Sequence, residues 1–114
     1  MTEIFQFDKL RRGGRVAIRV PVEVRGTSED GSLLDESTHT GVVGIHGAMI
    51  LSSRMLQMGS EVAVTNRFSQ QTAKFRVVSV NVRNGDNVWE IEIESLKPLD
   101  DFWGVRFSPK AGAH

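Results

Sequence analysis

The chain reads as an all-β protein: a small six-stranded antiparallel β-barrel with short helical or irregular terminal segments. Three observations predict it. Apolar residues recur at every second position in short runs, with almost no recurrence at three and four. Turn-forming residues separate the runs, among them Asp30-Gly31, Gly44-Ile45-His46-Gly47 and Asn84-Gly85-Asp86. The 114 residues fit one domain with one core, which leaves no cleft between domains. Many short strands joined by turns make a barrel or sandwich.

Residues 1–14 form a basic N-terminal arm. Ile4, Phe5 and Phe7 lie among polar neighbours in it, either packed on the barrel or frayed. The first strand is expected over 15–26, where Val16, Ile18, Val20, Val22 and Val24 alternate inward. Pro21 falls on the outward parity, which suits an edge or a bend. A polar connection follows, then a second strand over 36–43 and a third, buried strand over 48–51. Residues 52–59 read as a connector, and 60–66 as the fourth strand. The fifth covers 72–83, and its apolar parity switches at Val77-Val78, the mark of a bulge. Asn-Gly at 84–85 is the strongest hairpin signal, because it supplies the positive φ of a primed turn. In the sixth strand, 88–94, Trp89, Ile91 and Ile93 alternate with Glu90, Glu92 and Glu94, giving a solvated acidic face. Residues 99–107 carry Phe102, Trp103, Val105 and Phe107 and should dock on an open end. The barrel domain thus spans 15–107, and 108–114 form a disordered tail.

Lys and Arg together number 14, matching 14 Asp and Glu. A net charge of zero argues against a general nucleic-acid binder. The charge is uneven, however: Lys9 and four arginines crowd the first twenty residues, and acids dominate 21–36. A local basic site on a neutral protein suits a small anion. There is no cysteine, which excludes disulfides and thiolate metal sites. No apolar run reaches the ~18–20 residues that span a bilayer, and the N-terminus does not read as a secretory signal. The cytoplasm is the expected location, without membrane association.

His39 and His46 lack the companions of a metal site. Ser52-Ser53 has no nucleophile context. No enzyme, metal or cofactor is expected. Trp89 and Trp103 read as core and lid. The candidate site is the arm: Arg11, Arg12, Arg15 and Arg19 fall within nine residues, around Gly13 and Gly14. Guanidinium forks match phosphate oxygens and the O6/N7 edge of guanine. The arm is either a solvated surface or a clamp that the two glycines let fold over an anion.

Arg11 and Arg15 lie four apart just before the first strand, with Pro21 six further on. After the second strand comes Val42-Val43-Gly44-Ile45-His46-Gly47, then Ala48-Met49-Ile50. These features resemble the PilZ domain family, the bacterial receptor module for cyclic di-GMP. The likeness covers roughly residues 10–95 and is closest to small standalone members. It implies that Arg11, Arg12 and Arg15 contact the ligand, together with positions 42, 44 and 47. The family's second motif, Asp/Asn-x-Ser-x-x-Gly, is degenerate here: Val42 replaces the acid or amide, Gly44 replaces the serine, and Gly47 is retained. Two lost hydrogen bonds weaken binding about 30-fold to 10⁴-fold, although turn amides could compensate as an anion nest. The resemblance therefore implies cyclic di-GMP signalling, possible but weak, or a domain that binds no nucleotide and serves as an adaptor for an unidentified protein partner. An RNA-binding barrel is a third reading, for which the aromatic surface is missing.

Overall fold

The structure is a computed structural model and describes residues 15–82, 87–99 and 101–104. Arg11, Arg12, the Asn84-Gly85 turn and the expected tail lie outside the described residues. Six strands form: β1 (Pro21–Thr27), β2 (Leu33–Val43), β3 (Gly47–Ser52), β4 (Glu61–Asn66), β5 (Thr72–Val82) and β6 (Trp89–Ser95). They close into an antiparallel barrel in the order β1-β2-β3-β6-β5-β4. No helix occurs among the described residues. The all-β barrel expected from the alternation is therefore observed.

Two boundaries differ most: β2 starts earlier than expected, at Leu33, and β1 starts later. The strand expected from Arg15 begins at Pro21. Over 15–20 the chain follows the end of β2, where the Thr40 N–H still donates to the Val20 carbonyl at 3.0 Å but a side chain takes the other ladder bonds. The Thr40 hydroxyl accepts from the Val20 N–H at 2.9 Å and donates to the Ile18 carbonyl at 2.8 Å. Regular backbone pairing returns at Val16 and Val43, which exchange two bonds of 2.8 Å. The register of β2 against β3 shifts between Thr40 and Val42, at Gly41. Pro21, with no N–H to offer, takes the first position of a strand, as its chemistry requires.

Inward residues of every strand meet in one core. Val22, Val24, Val43, Ile50, Val64, Phe75, Ile91 and Ile93 are buried. The bulge expected in the fifth strand is present as a register shift between Val77 and Ser79. One end of the barrel is plugged by aromatic rings. Phe102 and Trp103 meet edge to face at 4.7 Å, and each lies 6.0 Å from Phe75 between ring centroids. Buried Asn66 ties the plug down: its amide donates to the Phe102 carbonyl at 2.7 Å, and its oxygen accepts from the Phe68 N–H at 2.9 Å. The Trp103 indole N–H is buried without an acceptor among the described residues. Trp89 is half-buried at the other end, beside Met55 and Arg54.

Candidate anion-binding site

The β2–β3 turn lies at the plugged end. It is closed by the Gly44 N–H donating to the Gly47 carbonyl at 2.8 Å. From the far side, the Ser95 N–H donates to the His46 carbonyl at 2.8 Å and the Leu99 N–H to the Ile45 carbonyl at 2.7 Å. The turn is thus pinned by the end of β6 and the segment after it. Gly47 must be glycine because a Cβ there would collide with the Ile93 carbonyl oxygen across the β3–β6 pair. Since the Gly44 N–H is used inside the turn, it is not available to an anion nest.

Arg15 meets this turn. Its aliphatic stem lies across Gly44, so closely that a Cβ on Gly44 would sit 2.6 Å from Arg15 Cγ. Gly44 is buried and Arg15 half-buried. Burial lowers the pKa of the Arg15 guanidinium from its ordinary value, and the negative charges of Glu92 and Glu94 oppose that shift. The β3–β6 register explains how they come near: Gly47 faces Glu94 and Met49 faces Glu92. Val42 pairs with Met49 and is half-buried, offering no polar group.

Arg15, distant in sequence, therefore joins Val42, Gly44 and Gly47 at one turn. Glu92 and Glu94 are the residues that sequence reasoning missed here. The acid ladder on β6 was visible, but its face is not simply solvated: Glu90 and Glu92 are half-buried. That β6 pairs with β3 is a non-local fact that alternation does not carry.

Farther along the barrel wall, from Ile18 and Gly41 toward Ser52 and Ser53, runs an open groove of about 680 Å³, lined by Arg19, His39, Met49, Leu51 and Glu90 among others. The glycine at position 41 lets the Met49 methyl fold over β2, since a Cβ at Gly41 would lie 2.7 Å from Met49 Cε. Arg19 is exposed on the groove's rim. The groove carries both signs of charge over apolar side chains, which suits an amphipathic small ligand. His39 is turned to the backbone, its Nδ1 lying 3.0 Å from the Thr40 carbonyl, and His46 is exposed in the turn. No group of three potential metal ligands occurs among the described residues. Nor is any described helix long and apolar enough to cross a membrane.

Comparison of the chain with protein-family models, curated proteins and solved structures finds no match.

Proposed function

We propose that the protein is a non-enzymatic, cytoplasmic PilZ-like signalling module that binds cyclic di-GMP weakly through its Arg11–Arg15 arm. The observation that supports this most is the seat of Arg15 on Gly44. Arg15 of the arginine motif and the glycine turn, separate in sequence, lie in contact, which suits recognition of a phosphate by a basic arm. Affinity is low because Val42 and Gly44 supply no side-chain hydrogen bonds, and because Glu92 and Glu94 stand beside the arginine.

A calorimetric titration with cyclic di-GMP, using GTP as control, tests this. Saturable binding is expected, together with its loss in the Arg11→Ala/Arg15→Ala double variant. Equal affinity in the double variant, or no heat from the unaltered protein, rules the reading out. The second reading, an adaptor without nucleotide, is favoured by the same two carboxylates, which are poor neighbours for an anionic ligand. It predicts no heat on titration and a protein partner whose capture is lost in the Glu92→Lys/Glu94→Lys variant.

A further inference from the structure

This inference rests on the reading of Arg15 as the anion-facing residue and concerns what sets its strength. We propose that Glu92 and Glu94 are affinity-determining residues of the Arg15 site, acting as a built-in counter-charge that an incoming anion must overcome, and that Gly44 is the seat holding Arg15 within their reach.

Three features of the geometry lead there. First, the Arg15 stem can lie flat on the turn only because position 44 has no Cβ. A side chain at that position would force the first half of the Arg15 side chain to move, because Cγ lies too near the backbone to swing clear. Second, the register sets Glu94 opposite Gly47 and Glu92 opposite Met49 on the outer face of β3 and β6, near enough to Arg15 for both charges to act on it. Third, the turn cannot drift away from these acids. It is bonded to Ser95 and Leu99, and Gly47 is packed against the β6 backbone.

The result is one guanidinium in the field of two carboxylates on a rigid face. Neutralising those carboxylates removes a repulsion that acts on any phosphate brought to Arg15, without deleting a group that touches it. The loss of the serine at position 44 thereby has a second consequence beyond a missing hydroxyl. The same glycine that removes a ligand contact also settles the arginine among acids.

The test compares three variants of the full chain by titration with cyclic di-GMP. Glu92→Gln/Glu94→Gln should bind roughly tenfold more tightly than the unaltered protein. Gly44→Ser, which displaces Arg15 from its seat, should also tighten binding. Glu29→Gln, exposed at the opposite end of the barrel, should leave affinity within about twofold. Equal affinity in the unaltered protein and the double glutamine variant overturns the proposal while leaving the Arg11–Arg15 reading intact. Binding seen only in the double variant upholds the proposal and shows that the natural sequence is not itself a receptor. Absence of binding in both overturns both. A Gly44→Ser chain that fails to fold does not affect these outcomes, which the glutamine variants decide.

Discussion

Arg54 and Arg15 each lie against a turn, at opposite ends of the barrel, and each has carboxylate neighbours. At the first turn the charges are built into hydrogen bonds. The Arg54 Nη2 donates to the Ser32 hydroxyl at 2.6 Å and to the Ser28 hydroxyl at 3.1 Å. Asp30 accepts from the Ser28 hydroxyl at 2.6 Å, the Ser32 hydroxyl at 2.7 Å and the Ser32 N–H at 2.9 Å. Glu36 continues the pattern toward β3 by accepting from the Ser52 hydroxyl at 2.8 Å and the Ser53 N–H at 3.0 Å. At the other turn, Arg15 is packed rather than bonded. Its stem rests on Gly44, and among the described residues no hydrogen bond fixes its guanidinium. Arg54, with its Nη2 held by two hydroxyls, belongs to the scaffold. Arg15, seated by its carbons and with no donor engaged among the described residues, is the arginine that the proposed function asks to meet a ligand.

The largest expected effect tests whether the Arg15 turn is as rigid as this contrast requires. Gly47→Ala drives a methyl into the β6 backbone and should cost about 3 kcal/mol in urea unfolding. A loss below about 1 kcal/mol would mean that the turn yields, and the fixed seat of Arg15 with it. Next comes Ser28→Ala at the bonded turn. It removes a buried hydroxyl from Asp30 and Arg54 and should cost about 1–2 kcal/mol. A smaller pair of changes compares the arginines directly. Arg54→Ala should cost about 1 kcal/mol and Arg15→Ala about half of that, since only the first breaks hydrogen bonds. Equal losses would erase the distinction.

The smallest effect is acid sensitivity. Hydrogen bonds from the Ser28 hydroxyl, then from the Ser32 hydroxyl and N–H, hold the Asp30 carboxyl well below the usual carboxylate range. A depressed folded-state pKa contributes stability above the unfolded value of about 3.9, and that contribution is shed as pH falls below it. Urea midpoints measured from pH 5 down to pH 2 should fall less steeply in Asp30→Asn than in the unaltered chain. Because Asp30 is exposed, the difference is small. Parallel curves would show that its bonds do not survive in solution.

The barrel was legible because alternation is a local signal. Val22 and Val24, Val62 and Val64, and Ile91 and Ile93 announce their inward face within a few residues, and all six are buried. The β5 bulge showed itself at Val77-Val78 for the same reason. The early start of β2 was hidden, because Leu33 is 84% exposed and Asp35 and Ser37 face water. Those residues are held by pairing with β1, as Leu33 is with Thr27, and not by an apolar rhythm of their own. The late start of β1 was hidden in the opposite way: Val16 and Ile18 keep the rhythm while the Thr40 hydroxyl takes the ladder bonds of Ile18 and Val20. Of the candidate site, Arg15 and the glycine turn could be named from the sequence. Their meeting, and the arrival of Glu92 and Glu94, depend on which strands neighbour each other across the barrel, and alternation is silent on that.

The chain contains two tryptophans, and the fold assigns one to each end of the barrel. Trp103 sits in the aromatic plug at the end that holds Arg15, 3% exposed and with its indole N–H unbonded among the described residues. Trp89 stands half-buried at the end that holds Arg54. The two indoles therefore make a spatially resolved optical pair that needs no added label. With Trp89 replaced by Phe, the remaining emission should be blue-shifted and poorly quenched by iodide. Any change in it on adding a nucleotide would report on the neighbourhood of Arg15. With Trp103 replaced instead, the emission should be redder and respond to disturbance of the serine-bonded turn.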